Sequence, residues 1–541
     1  MSSSPDISRL VAEAAAEVPT KLAVVEASGR SLTWAELEDA VARFATGLGE
    51  RGLVAGSRFM VCTGNRIEFV VAHLGALRAQ LVSVPVNPRS SVDELVRMMA
   101  DSGCRLVLAD ESSVPAVREA AARLGAALAG NPGERDAGES GLPEDLLARA
   151  VVPGVVVTGA EPGPGEAAYA DLLAERIREI PPLPDPGKLA ALLYTSGTSG
   201  RPRAAMLTHR ALLANVEQVA QVEPPMIHGD DVVLGVLPLF HVYGLNAVLG
   251  GVVRHRAKLV LVEKFDPNDV LDLIDDQACS VVPVAPPVFG HWLADDDLAE
   301  RFGPVRLVLS GSAPLTAEVI EAFQQRTGVP VHQGYGLTEA APVVTSTLVS
   351  RELESGSVGA ALPGIEIELV DEHHGQPEGE DPGEIRIRGA NLFSGYWPDG
   401  AEGPDEDGWW STGDVGFLNG VDNLFLVDRV RDLVIVSGFN VYPVEVEDVI
   451  GEVEGVRAVA VVGAEDPETG EAVVAYLVLQ PGADAEDVLA RVRTHAASRL
   501  ARFKQPSRLE VVDTLPITAT GKVQKGRLRG IERRRALGIL E

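Results

Sequence analysis

At 541 residues the chain exceeds what a single hydrophobic core supports, so it is expected to fold as two or more domains. Hydrophobic residues make up 46% and charged residues 23%, a globular mix, and the formal net charge is −31, from 47 basic against 78 acidic side chains. That envelope repels nucleic acid and anionic lipid at long range, so an anionic substrate needs local positive potential from a few basic groups, oriented amides or a metal ion.

Cys62, Cys104 and Cys279 lie far apart with no CxxC or Cys/His cluster, which argues against a disulfide framework or a zinc site and suits a reducing cytosol. The opening stretch MSSSPDISRLVAEAAAEVP has an early acid and no uninterrupted apolar core, unlike a secretory signal. No apolar run approaches a membrane span, and the expected location is cytoplasmic.

In chain order, Thr33 and Glu36 form a capping-box pattern, after which Leu37, Val41, Phe44 and Leu48 repeat at helical spacing. Strands are predicted at 58–62, 82–86 and 105–109, with helices at 67–79 and 92–100 between them. This alternation implies a mostly parallel sheet covered by helices on both faces. Residues 130–165, rich in Gly, Pro, Glu and Ala, read as a surface excursion. Residues 189–194 form a buried strand, and further strands are predicted at 232–234, 259–261, 281–284 and 305–309. From about 350, Ile365–Leu369 and Glu384–Arg388 alternate apolar and polar like strands with one wet face. Residues 398–408 form a loop by composition, and the chain after Arg431 reads as a small α+β domain.

The predicted strand at 189–194 delivers the chain into "YTSGTSGRPRAAMLTH", residues 194–209. Small residues there let backbone N–H groups converge on an anion, with hydroxyls of Thr195, Ser196, Thr198 and Ser199 as further donors and Arg203 as a charge-assisted one. A short Ser/Gly string reads equally as a flexible turn. In "GYGLTE" the ring of Tyr335 suits stacking on a nucleobase between Gly334 and Gly336; Thr338 suits a phosphate and Glu339 a Mg²⁺ ion. "STGDVG" offers Asp414 to ribose hydroxyls, and Arg429 is a second ribose candidate. "LPITATGKVQKGRLR" presents Lys522 in a Thr/Gly turn. Taken singly, Asp414, Arg429 and Lys522 each read as a surface ion pair or a solvated charge.

Taken together and in order, YTSGTSGRPR, LPLFHVYGL, SGSAPL, QGYGLTE, STGDVG, VDRVRD, SGFNVYPVEVE and TGKVQKGRLR resemble the adenylate-forming superfamily of acyl-CoA synthetases, adenylation domains and beetle luciferases. The resemblance runs from about Leu32 to Arg529. It implies an α/β fold with a large N-terminal domain, residues 1–430, of mostly parallel sheets covered by helices plus a smaller β-rich subdomain. A small mobile α+β domain, residues 431–541, follows. The implied reaction joins a carboxylic acid to ATP, giving acyl-AMP and pyrophosphate, and then transfers the acyl group to CoA. Thr195, Ser196, Gly197, Thr198, Ser199, Gly200 and Arg203 would hold the β- and γ-phosphates. Gly311, Ser312, Ala313, Gly334, Tyr335, Gly336, Thr338, Asp414 and Arg429 would complete the nucleotide site, with Mg²⁺ near Thr195 and Glu339. Lys522 would bridge the carboxylate and the α-phosphate. His241, Val242, Tyr243 and Gly244 would line the acyl pocket, Ser437, Gly438 and Phe439 the pantetheine tunnel, and Arg431 would be the pivot.

Three positions depart from the family pattern: Arg203-Ala204 replaces Lys-Gly, Arg431 replaces Lys or Asp, and His241 stands where amino-acid-activating relatives place Asp. The last disfavours an amino-acid substrate, and the apolar segment Pro283–Phe289 disfavours a diacid, leaving a fatty or aromatic acid. Alternatives sharing these motifs are an acyl-AMP ligase serving a carrier protein, a luciferase-like oxygenase and a nonenzymatic nucleotide-binding relative. Small molecules rather than nucleic acid are the expected partners.

Overall fold

Short runs of branched aliphatic residues set between amphipathic helices build two parallel sheets in the N-terminal portion. The computed structural model of the chain describes residues 6–129, 142–196, 202–312, 315, 317–370, 383–429, 434–441, 443–516, 523 and 525–536. One seven-stranded sheet runs in the order Ala167–Ala168, Gly154–Val157, Leu106–Ala109, Arg58–Cys62, Val82–Pro85, Leu189–Ser196, Pro202–Thr208. Its neighbours are parallel except for the last pair, which is antiparallel. The second, also of seven strands, runs Val331–Gln333, Leu307–Ser310, Val281–Val284, Val232–Gly235, Lys258–Leu261, Leu22–Glu26, Ser31–Thr33. It too is parallel but for its last pair. Strands such as Val82–Pro85 and Val281–Val284 are buried at every position, as a sheet with both faces covered requires.

Local chemistry explains the helices around them. Thr33 and Glu36 make both halves of a capping box at the start of Trp34–Glu50, and Leu37, Val41, Phe44 and Leu48 are buried on one face. Within the expected surface excursion the structure corrects the sequence reading. Residues 130–141 lie outside the described residues, but Gly154–Val157 is a strand beside Leu106–Ala109. Only Val156 and Val157 of its four residues are buried, so the stretch has too short a pattern to stand out, and its order comes from the neighbouring strand.

Residues beyond 360 form a four-stranded antiparallel sheet, Ile365–Val370, Gly383–Gly389, Trp409–Leu418 and Leu424–Arg429. A five-stranded sheet follows, in which Val461, Val473, Ala475 and Leu477 pack toward Pro443–Gly451 and Ala485–Arg499. The alternate residues Ala460, Val462, Val474 and Tyr476 pack with Leu528 of the helix Lys525–Ala536. Period-two alternation thus feeds two apolar faces, both covered. The fold is α/β, with a large N-terminal domain and a small C-terminal one.

Cys62, Cys104 and Cys279 are free and buried, and burial pushes each thiol up to about 12. Among the described residues no helix is long and apolar enough to cross a membrane.

We propose a domain boundary at Val430/Arg431, a reading supported by the two clusters of the small domain, which draw only on residues 434–531. Residues 431–541 expressed alone are expected to give native-like far-UV circular dichroism and a cooperative melt; a fragment without a transition would move the boundary.

Candidate active site

One cavity opens beyond the carboxyl ends of the parallel strands, the usual place for ligands in such sheets. Its lining brings together Thr195, His241, Val242, Tyr243, Gly311, Ser312, Gly334, Tyr335, Gly336, Thr338, Glu339, Asp414 and Gly438. Segments scattered over some 240 residues of sequence therefore converge. The lining combines hydroxyls and carboxylates with apolar side chains that include Val219, Met226, Ile227, Val248 and Leu309. Among the described lining residues the carboxylates are Glu339 and Asp414, and none is Lys or Arg.

Backbone close packing shapes the floor. A Cβ on Gly334 would stand 2.6 Å from the Thr345 carbonyl oxygen, and one on Gly336 would collide with that of Pro342. The two glycines of GYGLTE thus serve an approach to the protein's own chain, sealed by the Val344 N–H donating to the Tyr335 carbonyl at 2.9 Å. A Cβ on Gly311 would meet the Tyr243 ring at 2.7 Å, and one on Gly244 would collide with the Pro238 carbonyl. Gly244 lies in the widely wound helix Tyr243–Gly250, a local expansion often found at functional sites.

Both carboxylates are held by tyrosines. The Tyr335 hydroxyl donates to Asp414 Oδ2 at 2.7 Å, and the Tyr396 hydroxyl to Glu339 Oε1 at 2.5 Å. Asp414 lies opposite Arg429 in the antiparallel register of Trp409–Leu418 and Leu424–Arg429. Sequence reasoning did not find Tyr396; the only available signal was an aromatic within Ser-Gly-Tyr-Trp-Pro, next to a loop.

Arg203 was expected to face phosphate. Its guanidinium stacks 3.8 Å above the Tyr396 ring and pairs with Glu402 at 2.8 Å, while residues 197–200 of the expected phosphate loop lie outside the described residues. Ala204 pairs with Tyr194 within a strand, where glycine's freedom at positive φ has no use. Tyr194 is itself pinned: its hydroxyl donates to Asp101 Oδ2 at 2.9 Å, and Trp397 Nε1 donates to the Asp101 carbonyl at 2.9 Å. Both bonds go to the carboxyl-terminal end of the helix Val92–Ser102.

Burial holds His241 neutral, its imidazolium pushed down to about 4, and drives the Tyr243 phenol above the usual tyrosine range. From the small domain, the turn Ser437–Phe439 reaches the cavity. Gly438 adopts φ +81°, a Cβ there would sit 3.4 Å from Ala285 and Ser312, and the Phe439 ring stacks on Phe240 with centroids 6.2 Å apart. Gly197, Thr198, Ser199, Gly200, Ala313, Arg431 and Lys522 lie outside the described residues, and Ser196 and Arg429 are described only as strand positions.

Comparison with known proteins agrees with this arrangement. The family described as AMP-binding enzyme matches residues 11–397, and its C-terminal domain matches residues 445–522. A 4-coumarate–CoA ligase of Oryza sativa subsp. japonica is 32% identical, over 97% of this chain and 91% of that protein. A long-chain-fatty-acid–CoA ligase of Bacillus subtilis is 31% identical, over 96% and 93%. Among solved structures, an o-succinylbenzoate CoA synthetase of B. subtilis bound with a product analogue overlays with a TM-score of 0.77 at 26% identity, covering 96% and 98%. ATP-bound MatB of Rhodopseudomonas palustris overlays at 0.68 with 31% identity, covering 97% and 98%. The chain belongs to the AMP-binding enzyme family, as an AMP-forming acyl-CoA synthetase of the adenylate-forming superfamily.

Two outcomes follow. Gly336→Ala is expected to be more destabilising than an ordinary surface change, by about 2 kcal/mol or more, because the clash is with backbone; a shift in thermal midpoint checks it. For His241 the folded value near 4 lies below the ordinary 6.5, so the unfolded chain binds the proton first and stability falls as pH drops from 6.5 through 4. His241→Gln is expected to flatten that part of the stability–pH curve.

Proposed function

We propose that the chain activates a fatty or aromatic carboxylic acid as its acyl-AMP and then transfers the acyl group to CoA. In the first step a carboxylate oxygen bonds to the α-phosphorus of ATP and pyrophosphate leaves. In the second the CoA thiol, losing its proton, bonds to the acyl carbon and AMP leaves. No protein nucleophile takes part. The carrying observation is one cavity whose lining combines hydroxyls and carboxylates with apolar side chains, with the small domain's Ser437–Phe439 turn beside it.

The polar part of the lining supports a nucleotide site. Asp414, oriented by Tyr335, would accept from ribose hydroxyls, and Thr195 and Thr338 would donate to phosphates. Among the described residues no three His, Cys, Asp or Glu side chains group to hold a metal on their own. Glu339 and Thr195 still fit Mg²⁺, an ion that takes few protein ligands and fills the rest with phosphate and water. When bound it would neutralise phosphate charge during displacement. Glu339 would be aimed by Tyr396.

The second problem is repulsion. Two unit charges about 4 Å apart interact by roughly 4 kcal/mol at an effective dielectric near 20. We assign the offsetting cation to Lys522, which a rotating small domain would bring to the carboxylate and α-phosphate. The Ser437–Phe439 turn, assigned to the pantetheine path, lies against the cavity, which supports assigning the present arrangement to thioester formation. The apolar side chains of the lining, the neutral His241 and the lack of a described Lys or Arg there support a fatty or aromatic acid over an amino acid or diacid.

A pyrophosphate-release screen over acetate, medium-chain, long-chain and aryl acids, with CoA or a carrier protein as acceptor, tests this reading. Release with an apolar acid, and acyl-CoA on adding CoA, is expected; no release with any acid would overturn it. Lys522→Ala is expected to slow adenylation by about 10² to 10³ while sparing thioester formation from supplied acyl-AMP. Equal loss in both steps would remove Lys522 from its assigned role.

A further inference from the structure

The two domains also meet through a buried charge cluster that none of the steps above uses. Lys504, in the short turn Arg502–Lys504, places Nζ 2.8 Å from Glu94 Oε1 and 2.8 Å from Glu445 Oε1, and all three side chains are buried. Burial opposes the ammonium, but the two carboxylates outweigh it and hold Lys504 above the usual lysine range. Glu94 belongs to the large domain, and its Oε2 accepts from the Ser91 N–H at 2.9 Å in the capping box of the helix Val92–Ser102. Ser91 Oγ donates to the Arg499 carbonyl at 3.1 Å, and Arg499 Nε lies 2.5 Å from Asp93 Oδ2.

On the small-domain side, the cluster is tied to the cavity. Glu445 opens the helix after the Ser437–Phe439 turn. Phe503, next to Lys504, packs on the Phe439 ring with centroids 4.7 Å apart, and Phe439 stacks on Phe240 of the large domain. A short chain of contacts thus runs from Glu94 through Lys504 and Phe503 to the turn beside the cavity.

We propose that Lys504 is a positioning residue for the thioester-forming step, its pairing with Glu94 seating the Ser437–Phe439 turn against the cavity. The inference rests on the two-step reaction proposed above. Removing the ammonium leaves Glu94 and Glu445 facing each other across the interface, a like-charge pair that penalises this docking and no other. When the small domain turns away for adenylation, the three charges regain water and Lys504 has no part to play.

The test uses the full-length chain and compares Lys504→Met, Lys504→Arg and Glu94→Gln with the parent in both half-reactions. Acid-dependent exchange of pyrophosphate into ATP reads the first; single-turnover thioester formation from preformed acyl-AMP and CoA reads the second. Lys504→Met is expected to slow the second by on the order of tenfold to a hundredfold, since a stranded buried charge disfavours the docked arrangement, with the first changed by about twofold at most. Glu94→Gln, on the other domain, is expected to give the same split, and Lys504→Arg to recover part of the loss. A second readout needs no substrate: hydrogen exchange in Lys504→Met is expected to quicken at residues 91–95 and 437–441 and stay unchanged in the buried strand Arg58–Cys62. Equal loss in both half-reactions, or unchanged exchange at the interface, overturns the inference. An inactive parent enzyme with the expected exchange pattern would overturn the proposed reaction and leave the docking role standing.

Discussion

Two anionic reactants have to be brought together inside a protein whose own charge is −31, and the arrangement of the chain answers that constraint. The described cavity lining offers them carboxylates rather than cations, Glu339 and Asp414, each fixed by a tyrosine hydroxyl. An oriented carboxylate has a defined direction in which to accept, so it can hold a ribose or a solvated cation without spreading repulsion over the whole site. In our reading the positive charge comes from outside this lining, with the magnesium nucleotide and on the small domain. A movable cation of that kind would let one cavity present a charged face to one step and a thiol path to the next.

The interface between the domains suits such movement. A buried ion pair gains strong mutual attraction but loses hydration, and the two nearly cancel; its virtue is orientation more than depth of binding. Lys504 between Glu94 and Glu445 gives the docked arrangement a definite geometry while leaving a route out, because the separated charges are welcomed by water. An apolar patch of equal area would hold more tightly and release less readily. The stacking of Phe439 on Phe240 and Phe503 adds a modest apolar part.

Much of this was legible in the order of residues. Helix and strand periods located central elements of the parallel sheets, because a buried strand or a capped helix writes its pattern locally, as Thr33 and Glu36 do, but not strands such as Leu22–Glu26, Pro202–Thr208 and Val331–Gln333. Of the ordered motifs, YTSGTSGRPR, LPLFHVYGL, SGSAPL, QGYGLTE, STGDVG and SGFNVYPVEVE each contribute residues to one cavity. What stayed hidden depends on distant partners. Tyr396 meets Glu339 across 57 residues, and Lys504 meets Glu94 across 410, so neither carries a local mark. Arg203 likewise has distant partners, Tyr396 and Glu402, which its neighbours in sequence do not announce. The strand Gly154–Val157 was lost because only two of its residues face the core.

The three cysteines have a practical consequence. Thiols that are fully enclosed and resist ionisation until about pH 12 react slowly with maleimides and similar reagents. A single cysteine introduced on the outer surface of each domain would therefore take a fluorophore selectively, with the native sulfur atoms left in place. Single-molecule observation of such a doubly labelled protein would report whether its two parts turn during the catalytic cycle.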